Sequence, residues 1–189
     1  MKKIIVTLLC MLLLCSFVAC DSQSGEKLEK VTMRVSWTYN YKDVQELAAN
    51  SDLIAYVSIT AMESYTENGV VKTKYQAKVL DEIYGEKARA VEIIMTGGIV
   101  DQTIHEVEDD PLMDAKEAFL IFARKNESGT YTILSGPQGR FVVTDNKVYS
   151  LNVADDQVAR ANQFSNISVN GVDFDLFVSE IQSYLGANK

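Results

Sequence analysis

Hydrophobic and polar residues alternate along most of this chain, which is the pattern of β-strands with one buried and one exposed face. The alternation is clearest in residues 53–61 and 71–79. Asn68 and Gly69 lie between these segments, and this pair tolerates the positive φ angles of a tight reverse turn. The pattern therefore predicts an antiparallel hairpin there. Further strands are predicted at residues 31–39, 91–95, 118–123, 131–134, 140–143 and 148–151.

The pattern changes to a helical period in two places. Residues 43–50 put Val44 and Leu47 on one face, with Asp43 near the start, which predicts a short helix. Residues 172–185 carry an apolar stripe that predicts a C-terminal helix packed over a barrel or sheet. The sequence thus predicts a mainly β protein with a short helix before its second strand and a helix at its C-terminal end.

Two turns organise the second half of the chain. Residues 135–139 contain two glycines and one proline, so the strands at 131–134 and 140–143 are expected to pair across them. Asp145 and Asn146 are expected to turn the chain into the next strand. The chain shows no internal repeat and no second domain boundary, which indicates one globular domain.

The first twenty residues have the composition of an export signal. Lys2 and Lys3 precede an apolar core at residues 4–14, which is short for a membrane-spanning helix. Residues 17–20, Phe-Val-Ala-Cys, resemble the lipobox of bacterial lipoproteins, in which the cysteine is acylated after cleavage. Cys15 fits less well because the bulky Leu14 precedes it. An uncleaved signal anchor is the alternative interpretation.

This interpretation divides the chain into three parts. The polar residues after the lipidation site, Cys20, have the composition of a flexible tether. The expected location is the cell membrane, where the lipid anchors the domain on the extracytoplasmic face. The parts are a signal peptide at 1–19, a tether at 20–30 and a β-rich globular domain at 31–189.

Composition excludes several chemistries. All three cysteines lie at positions 10, 15 and 20, so the domain has no disulfide, thiolate zinc site or cysteine nucleophile. Removal of residues 1–19 leaves 16 basic and 26 acidic residues, a net charge of −10. Nucleic acid is therefore not an expected partner, because phosphate binding needs a basic surface.

Three segments carry a resemblance to known proteins: residues 51–55 (SDLIA), 73–79 (TKYQAKV) and 117–121 (EAFLI). Their order and spacing resemble uncharacterised lipoproteins of Gram-positive bacteria and, more distantly, the netrin-like domains that include the tissue inhibitors of metalloproteinases. The resemblance implies a small, five-stranded, Greek-key, OB-like antiparallel barrel. Those inhibitors act through an N-terminal cysteine, and here that residue would be the lipidated Cys20, so their inhibitory residues do not carry over.

The segment at 97–115 is expected to be a long connection, and long loops in small domains are often functional. It contains the only histidine and a run of acidic residues, which suggests a cation site or, alternatively, a solvated acidic loop. Because the spacing matches no calcium-loop or zinc-helix motif, we predict no metal site. The candidate binding residues in this segment are His105, Glu106, Glu108, Asp109 and Asp110.

Two other groups are candidates for binding. Trp37, Tyr39 and Tyr41 are able to stack on a sugar ring or to pack in the core. The strand at 71–79 carries a face of lysines that is suited to an anionic partner or is only the solvent-exposed face of a half-buried sheet. That face is made of Lys72, Lys74 and Lys78.

The sequence has no nucleophile elbow, phosphate loop or zinc-protease motif, and its single histidine limits general-base chemistry. We therefore predict a non-enzymatic, lipid-anchored binding or interaction module of the cell envelope with no cofactor. Its partners would be the membrane and an envelope protein or wall polymer. The alternative is a small envelope hydrolase or a barrel-type protease inhibitor that uses the loop at 97–115.

Overall fold

The computed structural model describes residues 28–154 and 166–187. The predicted signal peptide, Cys20 and most of the tether lie outside these residues. The strands are β1 (Glu29–Met33), β2 (Leu53–Glu67), β3 (Val70–Tyr84), β4 (Ala90–Thr96), β5 (Gly98–Val100), β6 (Thr103–Val107), β7 (Ala118–Lys125), β8 (Tyr131–Ile133), β9 (Arg140–Thr144), β10 (Lys147–Ser150) and β11 (Asn170–Asp173). The helices are α1 (Val44–Ala49), α2 (Leu151–Ala154) and α3 (Phe174–Ala187), and a 3-10 turn covers Gly136–Gly139.

Five strands close into a barrel in the order β2, β3, β4, β8, β7 and back to β2. Neighbouring strands are antiparallel except β4 and β8, which are parallel, with Ile93 opposite Tyr131. The chain reaches β8 only after β7, so β8 is inserted between strands that precede it. The predicted small OB-like barrel with a C-terminal helix is confirmed. The sheet continues beyond β7 through β9, β10 and β11.

The long β2–β3 hairpin follows from its turn residues. Asn68 and Gly69 have φ angles of 50° and 77°, as the sequence predicted. The register between the two strands shifts at several places in β2, for example between Ile59 and Ala61. Such bulges bend and twist a strand, which allows the hairpin to curl into the barrel wall.

Two apolar cores stabilise the fold. The barrel interior is filled by one set of side chains, which includes the buried Tyr75, Ile93 and Ile121. On the outside of β2, β7 and β9, helices α1 and α3 form a second core with Phe122 and Phe141. Both predicted helices are confirmed, and the side chain of Asp43 caps α1 by accepting the backbone N–H of Glu46.

The prediction of a long connection at 97–115 is wrong. Strands β5 and β6 form a hairpin within it, and β1 pairs in parallel with β6 to make a separate three-stranded sheet. The turn is made by Asp101 and Gln102, whose φ angles are 48° and 63°. These strands are short and only partly buried, so their sequence lacks the alternation that marks the barrel strands.

The predicted pairing of residues 131–134 with 140–143 is also wrong. Strand β8 pairs with β7 and β4, whereas β9 pairs with β7 and β10. Strand β7 is long enough for both: Ala123 lies opposite Ile133, and Ile121 lies opposite Arg140. The intervening residues 135–139 thus lead from β8 to β9, which both pair with β7, and they do not close a hairpin between these two strands.

The first strand differs from its predicted bounds of 31–39. Strand β1 starts at Glu29, inside the expected tether at 20–30, and ends at Met33 instead of continuing to residue 39. No helix in the two described ranges is both long and apolar enough to span a membrane.

Candidate binding groove

A groove of about 200 Å³ opens where the outer surface of β3, β4 and β8 meets the segment after β1. Lys72 of β3 lies opposite Thr96 of β4, and both side chains point outward because their neighbours Thr73 and Met95 are buried. We call this feature the binding groove. It is lined by Trp37, Lys72, Ile94, Met95, Thr96, Asp110, Thr132, Ile133 and Gly136.

Trp37 forms one wall of the groove and is held at two points. Its indole Nε1 donates a hydrogen bond of 2.9 Å to Oδ2 of Asp109. Its six-membered ring lies on Gly136, where a Cβ atom would come within 2.4 Å of two ring carbons. Gly136 also has a φ angle of 50°, which favours glycine. The indole is only half-buried, so part of its surface faces the groove.

Asp110 supplies a buried carboxylate at the end of the groove. Its Oδ1 accepts a 2.7 Å bond from Nη2 of Arg140, which also donates to the carbonyl oxygen of Pro111. Asp110 and Arg140 are 4% and 1% exposed. Burial raises the pKa of Asp110 to about 6, because the loss of hydration outweighs the attraction of Arg140.

The second carboxylate oxygen of Asp110, Oδ2, is not the atom that accepts from Arg140. Oδ2 lies near Gly136, 2.9 Å from the position that a Cβ atom would take there. None of the described donor groups forms a hydrogen bond to Oδ2. A ligand with an O–H or N–H group would therefore find a fixed acceptor beside the indole of Trp37.

The open side of the groove is polar. The Nζ atom of Lys72 lies 2.6 Å from Glu67, and this hydrogen bond raises the pKa of the lysine. Thr96 and Thr132 add hydroxyl groups on β4 and β8. The groove thus joins one aromatic wall, one buried acceptor, two hydroxyls and one ammonium.

The acidic residues predicted as a group are separated by the fold. Glu106 forms an ion pair of 2.5 Å with Lys30, and Glu108 forms one of 2.7 Å with Arg34. His105 lies in β6 between β1 and β5, away from the groove lining. Within residues 28–154 and 166–187, no group of three or more histidine, cysteine or acidic side chains is arranged to hold a metal ion.

Asp109 and Asp110 have different partners, Trp37 and Arg140, and these two aspartates are the part of the predicted segment that shapes the groove. The carboxylates of 106–110 therefore fasten β1, the segment after β1 and the start of β9 to the end of β6 and the residues that follow it. They do not converge on one point.

The predicted aromatic cluster is divided between surface and core. Tyr41 is buried, and its ring centroid lies 4.6 Å from that of Tyr39. Tyr39 is 51% exposed and its hydroxyl donates to Glu46. Neither tyrosine lines the groove, so Trp37 alone of the three is placed to contact a ligand there.

The lysine face is divided in the same way. Lys72 lines the groove, whereas Lys74 and Lys78 do not. Four residues of the groove and its support are not predicted by the sequence: Gly136, Arg140, Thr96 and Thr132. The glycines and proline of 135–139 indicate only a turn, and nothing in the sequence places Arg140 beside Asp110.

No protein-family model matches this chain, and a search of curated proteins gives no significant match. The side chains of the groove therefore provide the basis for a functional assignment.

Proposed function

We propose that this protein is a lipid-anchored, extracytoplasmic binding module that holds a saccharide unit of a cell-envelope polymer in the binding groove. The observation that supports this proposal is the position of Trp37 beside Asp110. A partly exposed indole stands next to a buried carboxylate whose Oδ2 accepts no hydrogen bond from the described residues.

Sugar chemistry fits this pair of groups. One face of a pyranose ring carries C–H groups that pack on an aromatic surface, and its hydroxyls donate hydrogen bonds to carboxylates. Drug-sized ligands occupy pockets of roughly 300–1,000 Å³. The groove, at about 200 Å³, is smaller and open to solvent, which suits one ring of a longer polymer.

Lys72 favours a polymer that carries acidic groups near the bound ring. Its ammonium already pairs with Glu67 at the end of β2, where the two side chains are 31% and 52% exposed. An anionic substituent would compete with Glu67 for this ammonium. Exposed ion pairs contribute about 0–1 kcal/mol, so the exchange costs little.

The proposed anchor would keep the domain close to the membrane. Strand β1 begins at Glu29, so the chain between Cys20 and the domain is short. Fully extended, residues 20–29 reach roughly 30 Å at about 3.3–3.6 Å per residue. A module held at this distance would meet envelope polymers near their membrane end.

Metabolic labelling with a fatty acid tests the anchor. We expect the wild-type protein and the Cys15→Ser variant to be labelled, and the Cys20→Ser variant to remain unlabelled and incorrectly processed. Label in the Cys20→Ser protein would refute the anchor assignment. This test does not depend on the ligand.

Fluorescence tests the groove directly because Trp37 is the only tryptophan. The soluble chain, residues 20–189 with Cys20→Ser, would be titrated with soluble glycan fragments of bacterial cell wall. We expect a saturable change in Trp37 emission. Lys72→Gln should weaken binding of acidic fragments severalfold, whereas the matched control Lys78→Gln, an exposed residue outside the groove, should not. A flat titration with neutral and acidic fragments would refute the proposal.

A further inference from the structure

A second cavity, which we call the helix pocket, lies between α1, α3 and the chain leading into β11. Its volume is about 330 Å³, and none of its described lining residues also lines the binding groove. Pockets for small molecules begin at about this size. The helix pocket is lined by residues 43–45, Ala48, residues 166–170, Val172, Phe177, Glu180, Ile181 and Tyr184.

The floor of the helix pocket is apolar. Ala48, Phe177 and Ile181 belong to the second core and are at most 5% exposed, yet they contribute to the pocket lining. Val44 and Val172, which are partly buried, add to this apolar surface. A hydrocarbon group placed here would remove apolar area from water, which contributes roughly 25 cal/mol per Å².

The charged groups that line the helix pocket are both acidic among the residues that the structure describes. Asp43 and Glu180 contribute carboxylates, and no lysine, arginine or histidine of residues 28–154 and 166–187 belongs to the lining. Asp43 caps α1 by accepting the backbone N–H of Glu46 at Oδ1. The whole chain carries a formal net charge of −8, so its overall field also attracts cations.

We infer that the helix pocket is a second ligand site, which binds a small organic cation that has an apolar body, such as an alkylammonium compound. The apolar part lies on Phe177 and Ile181, and the ammonium lies between Asp43 and Glu180. An anion with the same tail is excluded by the two carboxylates, because like charges repel across a partly desolvated site. This inference is independent of the glycan proposal, since no residue in the described part of the chain lines both sites.

Calorimetric titration of the soluble chain with hexyltrimethylammonium and with hexyl sulfate tests the inference. The two probes have the same tail and opposite head groups. We expect the ammonium compound to bind at least tenfold more tightly than the sulfate. Equal affinities for the two probes would show that the pocket binds the hydrocarbon tail without selecting the cationic head group, which would overturn the inference. No binding of the ammonium compound would also overturn it.

The Asp43→Asn/Glu180→Gln variant tests the position of the ammonium. Asparagine retains the ability to cap α1, so the melting temperature should stay close to that of the wild type. We expect the variant to lose at least tenfold in affinity for hexyltrimethylammonium, while Glu63→Gln, which removes an exposed carboxylate on β2 outside the pocket, should have no effect. Unchanged affinity in the folded double variant would overturn the inference.

Discussion

The Nη2 atom of Arg140 lies 2.7 Å from Oδ1 of Asp110 inside the protein, where both side chains are almost completely shielded from water. Arg140 begins β9, and Asp110 follows β6, so this pair joins the eight-stranded sheet to the small sheet. The guanidinium also lies 5.2 Å from the ring centre of Phe119. The same contact positions Asp110 at the end of the binding groove.

Removal of the arginine should be strongly destabilising at neutral pH. Arg140→Met keeps an unbranched side chain but leaves the carboxylate of Asp110 buried without its cation. Breaking a buried ion pair in this way costs about 3–5 kcal/mol. Chemical denaturation at pH 7 measures the loss, and Arg124→Met, which removes an exposed arginine, is the control and should change stability by at most about 0.5 kcal/mol. An equal effect of the two substitutions would contradict the role of this pair.

The raised pKa of Asp110 should make stability depend on pH. In the folded protein this carboxyl holds its proton up to a pH of about 6, whereas an unfolded aspartate loses it near its ordinary pKa of 3.8. The protonated carboxyl of Asp110 therefore adds to the free energy of unfolding below about pH 4. This contribution is lost as the pH rises to about 6, and above pH 6 the stability no longer changes with the titration of Asp110. The loss amounts to about 3 kcal/mol at roughly 1.4 kcal/mol per pKa unit.

Asp110→Asn isolates this contribution, because asparagine does not titrate and its carbonyl oxygen can still accept from Arg140. We expect the wild type to lose up to about 3 kcal/mol more stability than the variant between pH 4 and pH 6.5. The other acidic groups are present in both proteins, so their contributions to the pH dependence of stability cancel when the two profiles are subtracted. Parallel stability profiles for the two proteins would show that Asp110 does not titrate in this interval.

Local patterns in the sequence explain which parts of the fold were predicted. The Asn68-Gly69 turn, the alternation along β2 and β3, and the apolar stripe of α3 each depend on residues close together in the chain, and each is confirmed. The small sheet was missed because its strands are short and half-exposed, which leaves no regular alternation to detect.

The groove was predicted only in part because it is assembled over long distances in the chain. Trp37 and Asp109 are 72 positions apart, and Asp110 and Arg140 are 30 apart. Trp37, Asp109 and Asp110 were recognised as candidates by residue type alone. Their actual partners depend on the parallel pairing of β1 with β6 and on the path of residues 135–139, neither of which the sequence indicates.

Divalent cations should not stabilise the protein through residues 105–110. Glu106, Glu108, Asp109 and Asp110 each have a separate partner, so a cation would have to break these contacts before it could gather ligands. A cation site would raise the free energy of unfolding by about 2.7 kcal/mol when the cation concentration is a hundred times the dissociation constant. We expect thermal melts with millimolar calcium, zinc or manganese to match those with chelator. A rise of several degrees that disappears in Asp109→Asn/Asp110→Asn would contradict this expectation.

The contact between Gly136 and Trp37 gives the most direct test of the groove. In Gly136→Ala, the new methyl group would come within 2.4 Å of the indole ring, so Trp37 must move away from Asp109. Gly129→Ala is a matched control, because Gly129 also has a positive φ, 86°, but no atom lies within 4 Å of its added Cβ. Both variants carry the strain of a left-handed alanine, about 1–2 kcal/mol. Gly136→Ala should therefore lose more stability than Gly129→Ala, shift the emission of Trp37 toward that of an exposed indole, and bind wall glycan at least tenfold more weakly. Identical emission and affinity in the two variants would show that the position of Trp37 on Gly136 does not determine glycan binding.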